Sequence, residues 1–245
     1  MSSFITGLLS YVSSLKYLSR GWMLKQLFLS GLIGLLVFAT LGFVVWRGGD
    51  DLIDFFLGLI PDLNLPGWAD LTLGWVSRLA LLAVCVTLFK YILLLVVAPM
   101  MSQVVPKIIQ EEGDNSVARK TNTFYSVGRG VSLAVSNLTK EVTLTLILLV
   151  LSLIPGLAIV TGPLIFLIQA YYLGFGNLDV YLETRMSLKE SKHFIRTHRG
   201  LALGNGILML ALLLIPILGV FLAPGLGITS ATLSGIKSVN NNESL

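Results

Sequence analysis

The sequence predicts an all-α integral membrane protein with two long transmembrane helices, two proline-broken, partly penetrating helical hairpins, and interfacial amphipathic helices. Three observations predict it. Of 245 residues, 55% are hydrophobic and only 12% are charged, about half the charged share of a soluble domain. Leu27–Trp46 is an uncharged run of twenty residues ending on Trp, enough to cross a hydrocarbon core about 30 Å thick. Finally, Ile154–Pro163 and Ile215–Pro224 repeat a pattern that opens on Ile-Pro and closes on a small residue and Pro, at a constant offset of 61 positions.

Residues 1–26 place Phe4, Leu8, Val12, Leu15, Leu18 and Trp22 at helical spacing, with Lys16, Arg20 and Lys25 and no acid among them. That pattern predicts a helix at the membrane interface, breaking near Ser19-Arg20-Gly21. The stretch lacks the compact apolar core and cleavage site of a secretory signal. Residues 27–46 form the first span, with Gly31, Gly34 and Gly42 open to close helix approach.

Residues 47–78 carry five aspartates against two arginines, a net of −3, with tryptophans at 68 and 75 and breaks at Pro61 and Pro66. Short amphipathic pieces on the outer interface fit this composition. Residues 79–105 form the second span, interrupted by Lys90 and Ala98-Pro99. A buried ammonium needs a partner acid, a carbonyl or a polar cavity, so Lys90 reads either as a packed ion pair or as an anion-attracting charge along a pathway.

Pro106–Glu141 is a polar loop of net charge +1, in which 123–140 has helical character; Asp179–Gly200 is a second, of net +2. Between and after them lie hairpin 1 (142–178) and hairpin 2 (200–236). Their arms are 12–15 residues long, roughly 18–23 Å as helix. The turn residues are Pro155, Gly156, Gly162, Pro163, Pro216 and Pro224, since proline removes a donor and disfavours helix in the residue before it. Basic segments stay cytoplasmic, which puts both termini inside, 47–78 outside, and the hairpin ends on the cytoplasmic side. Charge parity allows the hairpins to dip or to cross and return; arm length favours dipping.

Gln169, Asn177 and Asn205 lie in apolar arms and need hydrogen-bond partners. Asp179, Glu183 and Arg185 suggest an ion pair between loop and hairpin. Lys189, Lys192, Arg196 and Arg199 suit anionic lipid rather than nucleic acid. His193 and His198 lack helical metal spacing, and Cys85 is alone, so no metal site is expected. Phosphate-loop, dinucleotide, His-Glu-x-x-His and Gly-x-Ser-x-Gly patterns are absent. Neither an enzyme nor a cofactor is expected.

Several motifs in order carry a resemblance: Arg20-Gly21-Trp22, Ala98-Pro99-Met100, Ile154-Pro155-Gly156 with Gly162-Pro163, Asn177-x-Asp179, and Ile215-Pro216 with Ala223-Pro224. Over roughly residues 10–236 the chain resembles the CysZ / etoposide-induced protein 2.4 family. The resemblance implies a homo-oligomer in the bacterial inner membrane, partly penetrating hairpins and, for the CysZ branch, sulfate uptake for assimilation. That branch is similar to a Gly-Leu-Arg pattern at the first span. Here the stretch reads Gly21-Trp22-Met23-Leu24-Lys25, with Arg20 ahead of it. Helix N-termini with a nearby cation hold oxyanions, which makes Arg20, Gly21, Trp22 and Lys25 the expected anion-binding group and Lys90 a pathway residue. The competing reading is a non-transporting membrane adaptor acting on lipids or partner proteins. A pore brings Lys90, Arg20 and the polar arm residues together; an adaptor scatters them. The transport reading predicts that R20A or K25A lowers sulfate flux in proteoliposomes, and it is wrong if the wild-type protein neither binds nor passes sulfate.

Overall fold

The computed structural model describes residues 3–58, 81, 84–85, 87–93, 95–96, 100, 103–114, 123–152, 154, 156–215 and 218–243. The described residues are helical throughout, apart from turns: α1 (Ser3–Ser14), a 3-10 turn (Leu15–Ser19), α2 (Gly21–Gly58), α3 (Val105–Glu111), α4 (Thr123–Ser152), α5 (Ala158–Leu182), α6 (Leu188–Thr197), α7 (Arg199–Leu213) and α8 (Leu218–Glu243). Residues 87–93 are also helical. Most of the outer segment, with Pro61 and Pro66, lies outside the described residues, as do Ala98-Pro99, Pro155 and Pro216.

Four helices are long and apolar enough to cross a membrane: Gly21–Val44, Phe124–Ser152, Ala158–Leu182 and Leu218–Asn240. They differ in their surroundings. Only 22% of the first is buried within the protein, against 89% of the last. The first therefore presents apolar surface outward, and α8 is the core. The sequence of α8 suits that place, because small residues such as Ala223, Ser230, Ala231 and Ser234 alternate with buried aliphatics such as Leu226, Ile228 and Leu233.

Several expected boundaries move. The helix of the first span continues past Trp46: α2 runs 38 residues to Gly58, roughly 57 Å, while its stretch apolar enough to cross ends at Val44. Gly48 and Gly49 cost a helix only about 1 kcal/mol each, and the first proline after them is Pro61. The first arm of hairpin 1 is not a 12–15-residue piece starting at Val142. It is the second half of α4, 30 residues long, because 123–140 and 142–152 contain no proline to separate them. Its return arm, α5, has 25 residues. The polar loop 179–200 is also largely helical, ending α5 and forming α6.

The turns are shorter than the sequence suggests. Gly156 lies in the α4–α5 turn with φ of +86°, a left-handed conformation that glycine adopts without steric cost. Gly162 and Pro163 do not turn the chain; both lie inside α5, and Pro224 lies inside α8. Each proline falls in the second turn of its helix, where only one amide is lost. The residues before them, Gly162 and Ala223, carry at most a methyl group against the proline ring.

α1 also departs from expectation. Its inward face is Gly7, Ser10, Tyr11 and Ser14, a small polar stripe at i, i+3, i+4 and i+7. The apolar stripe is split, with Val12 and Leu15 exposed. The break falls where it was expected: Arg20 is extended, with φ −80° and ψ 124°.

The core is set by close backbone approach. A Cβ on Gly174 would collide with the carbonyl of Ala202, and one on Gly206 with the carbonyl of Ala170. Helices α5 and α7 therefore touch along their backbones. α1 joins them, since a Cβ on Gly204 would strike the carbonyl of Phe4. G206A places a methyl group against backbone that cannot swing aside, and overpacking of this kind costs about 1–3 kcal/mol. Thermal unfolding in detergent should show a lowered Tm for G206A. G162A, whose added Cβ meets open space, should leave the Tm unchanged or raise it slightly.

Candidate functional site

The mouth of the first span does hold the expected residues, but Arg20 is engaged. The Arg20 carbonyl accepts the Met23 and Leu24 amides at 2.9 and 3.0 Å, so this residue caps α2. Its guanidinium pairs with Glu111 at 3.1 Å. Lys16 and Tyr17 both donate to Glu112. The ammonium of Lys107 lies 5.4 Å from the centre of the Trp22 ring. Burial raises the Glu112 pKa, but the hydrogen bonds from Lys16 and Tyr17 outweigh it and hold the carboxyl below its ordinary range. Gly21 has open space around it and Lys25 is exposed. Two acids on and next to α3 thus answer two cations of the N-terminal arm, and the cluster ties that arm to the segment following the second span.

Lys90 is buried and fully matched. Its ammonium pairs with Glu141 of α4 and donates to the Gln169 carbonyl of α5 at 3.1 Å. Glu141 also accepts from Thr87 at 3.1 Å and Tyr91 at 3.0 Å. Of the two readings open at this residue, the structure places it in a closed ion-pair cluster. Arg20 and Lys90 have separate partners and are not brought together. Asn177 and Asn205 are: Asn177 donates to Asn205 Oδ1 at 2.8 Å, and Asn205 donates to the Gly227 carbonyl at 2.9 Å.

A denser group of unmatched cations lies elsewhere. A cavity of about 430 Å³ opens between α4, α5, α6 and the start of α7. Its rim is Lys140, Lys192, Arg196 and Arg199, and its floor is Asn137, Tyr171, Tyr172 and Phe175. The lining contains no acid. Among the described residues none of the four cations has a salt bridge. Asn137 is only 3% exposed and lines the cavity.

Local structure explains how the cations meet. Ser187 and Glu190 form a capping box that starts α6, with the Ser187 amide donating to Glu190 at 2.8 Å. Ile195 and Ser191 then face inward, which puts Lys192 and Arg196 on one flank. Like charges at this spacing repel by about 0.2–0.5 kcal/mol. Arg199 opens α7, whose N-terminal dipole disfavours a cation, and its Nε donates to the Arg196 carbonyl at 3.1 Å. Three basic side chains crowd a helix N-terminus with no acid to offset them. A bound oxyanion would relieve that arrangement, accepting from the cations, the amide of Asn137 and the tyrosine hydroxyls.

The sequence reading had Lys192, Arg196 and Arg199 in a loop facing lipid, and it did not single out Asn137, Lys140, Tyr171, Tyr172 or Phe175. A signal was present: Ser187-Leu188-Lys189-Glu190 is a capping-box pattern, and a helix begun there aligns residues 192, 196 and 199. The nearby acids follow the expectation of loop-to-hairpin pairs. Asp179 takes two hydrogen bonds from Arg129, at 3.0 and 2.7 Å, and Arg185 pairs with Asp114.

Fold and site define a helical membrane protein with a cation-rimmed cavity beside its most buried helices. The chain belongs to the sulfate transporter CysZ/etoposide-induced protein 2.4 family, whose model matches residues 10–224. A comparison with curated proteins gives no match.

Removing one member of a buried ion pair leaves an uncompensated charge and costs about 3–5 kcal/mol. E141Q and K90M should each lower the unfolding midpoint in detergent sharply. The double variant K90M/E141M should lose less than either alone, and a strictly additive loss would refute the closed-pair reading.

Proposed function

We propose that this protein is a permease or channel for sulfate or a similar small oxyanion in a bacterial inner membrane, supplying sulfate for assimilation. The observation that carries this reading is the acid-free cavity rimmed by Lys140, Lys192, Arg196 and Arg199, with Asn137 at its floor. A dianion needs several positive groups and directed donors at once, because desolvating it costs far more than any single contact returns. The family to which the chain belongs is described by a sulfate transporter, which agrees with that chemistry.

In this reading both termini are cytoplasmic, and the protein works as a homo-oligomer through its outward apolar helices. α2 and the second span cross the bilayer, α4 and α5 are long enough to cross and return, and the α7–α8 hairpin enters partway. α7 has 15 residues, roughly 22 Å, short of the bilayer core. Arg20 and its neighbours act here as a structural latch that positions the entry of α2, and the anion is held at the basic cavity.

The second reading is a membrane adaptor with no transport, and two observations favour it: Arg20 and Lys90 have separate partners and are not brought together, and the basic cluster faces outward. Lys140, Arg196 and Arg199 are exposed, as cations that meet anionic headgroups are. Sulfate flux into proteoliposomes separates the two. The wild-type protein should pass sulfate, and K192Q/R196Q should reduce the flux about tenfold, equivalent to about 1.4 kcal/mol of lost stabilisation. R20A should lose less than that double variant. A wild-type protein that binds anionic vesicles but passes no sulfate supports the adaptor and ends the transport reading.

A further inference from the structure

The basic cavity is larger than a bare oxyanion requires. Its volume of about 430 Å³ falls in the range of about 300–1,000 Å³ that takes organic ligands. A water occupies about 30 Å³ in the liquid, and a tetrahedral oxyanion displaces only a few waters. Sulfate held between the rim cations would leave much of the floor uncovered.

That floor is aromatic. The centre of the Tyr171 ring lies 5.2 Å from that of Tyr172 and 6.0 Å from that of Phe175, with interplanar angles of 71° and 79°. Edge-to-face packing of this kind fixes the rings against one another. Tyr172 and Phe175 are buried within the protein, whereas Tyr171 is half-buried. Tyr171 is therefore the ring that a ligand in the cavity meets first. The charges of Arg199 and Arg196 are close enough to act on its phenol. Aromatic rings and cations thus share one cavity whose lining contains no acid.

The mouth of the cavity is polar. α6, which carries Lys192 and Arg196, has only Leu188, Phe194 and Ile195 as apolar residues, and none of the three is exposed. A lipid tail would find no apolar track along this helix. A soluble ligand needs none.

We propose that the basic cavity binds a nucleoside monophosphate, with the phosphate between Lys140, Lys192, Arg196 and Arg199 and the base stacked on Tyr171. The inference rests on the oxyanion reading of the cavity, because the same cations hold the phosphate. A phosphate monoester carries a charge of about −1.5 to −2 at neutral pH and three strong acceptor oxygens, which suits it to a site built for a dianion. The base adds a contact that sulfate cannot make, since aromatic side chains and guanidinium groups both stack on the face of a nucleobase. Nucleotide and sulfate then compete for one set of cations, and the nucleotide is the tighter ligand. A filled cavity keeps sulfate out, so the soluble nucleotide regulates the site.

The test is calorimetric titration of the purified full-length protein, in an uncharged detergent, with AMP, ribose 5-phosphate and sodium sulfate. AMP should bind at least about tenfold more tightly than either of the others, and saturating AMP should abolish the sulfate signal. Y171A should lower AMP affinity about tenfold and sulfate affinity much less, while Y171F, which keeps the ring, should hold AMP as the wild type does. Should Y171A fail to fold, the comparison of AMP with ribose 5-phosphate decides alone, because it removes the base from the ligand and leaves the protein intact. AMP that binds no tighter than ribose 5-phosphate overturns the nucleotide inference, and sulfate binding in the same series leaves the oxyanion reading standing. A Y171A protein with wild-type AMP affinity also overturns it, as does AMP that binds without displacing sulfate. Displacement of sulfate by short-chain phosphatidylglycerol and not by AMP assigns the cavity to lipid and ends the nucleotide inference. A protein that binds none of the three anions removes both readings.

Discussion

The buried amide of Asn205 holds four helices in register, and the cavity geometry depends on it. Its oxygen accepts from Asn177 of α5, its NH₂ donates to the Gly227 carbonyl of α8, and its backbone carbonyl accepts from Tyr11 of α1 at 3.0 Å. In an interior without water each of these groups must be paired or cost free energy. A slip of any one helix along α7 would break at least one bond. Backbone contact at Gly174, Gly204 and Gly206 removes the slack that longer side chains would leave. The register fixed at Asn205 therefore fixes where α7 begins, and α7 begins at Arg199 on the cavity rim.

Charge in this protein is of two kinds. Lys90 with Glu141, Arg129 with Asp179 and Arg185 with Asp114 are pairs buried on both sides. Such pairs repay their desolvation only through close geometry and added hydrogen bonds, and here Thr87, Tyr91 and Ser191 supply those bonds. These clusters organise helices and have no charge to spare for a ligand. Lys140, Lys192, Arg196 and Arg199 are the reverse, remaining in contact with solvent and opposed by no acid in the cavity lining. Seen as sequence, Lys90 is the conspicuous cation because it interrupts an apolar run. In the fold it is the most thoroughly neutralised, and the ordinary-looking basic loop is the part with net field.

How much was legible follows from the range of each signal. The helical class, the first span and the break at Arg20 are local, written in hydropathy and in Ser19-Arg20-Gly21, and they appear as expected. Pairing of Asn177 and Asn205 was legible as a need, since apolar arms leave amides no other partner. Helix lengths were less legible. Proline and glycine were given turn roles that the second helical turn does not require of them, so Pro163 and Pro224 were placed in turns they do not form. The cavity was not legible. Asn137, Lys140 and Tyr172 are far apart from Arg199 in sequence, and only the α5–α7 backbone contact brings their helices to one place.

The internal repeat supplies a last step. The 61-residue offset that relates Pro155 to Pro216 and Pro163 to Pro224 also maps Asn137 onto His198. In the first copy the helix runs unbroken through Asn137, because α4 spans Thr123–Ser152. In the second copy the equivalent position is the junction of α6 and α7, where His198 has φ −110° and ψ 44°. The basic cavity lies between these two segments: Asn137 and Lys140 line it from one copy, and Lys192, Arg196 and Arg199 from the other. Sites at the interface of internal repeats are a recurring solution in transporters, because the same unit used twice encloses a volume that neither encloses alone. Here the second unit differs by one break, and the break turns the N-terminus of α7 toward the cavity. A strictly faithful repeat would have continued α6 into α7 as one helix and left no such terminus at the cavity. On this argument the departure from symmetry at His198, more than the repeated Ile-Pro turns themselves, is what gives the cavity a helix N-terminus on its basic rim.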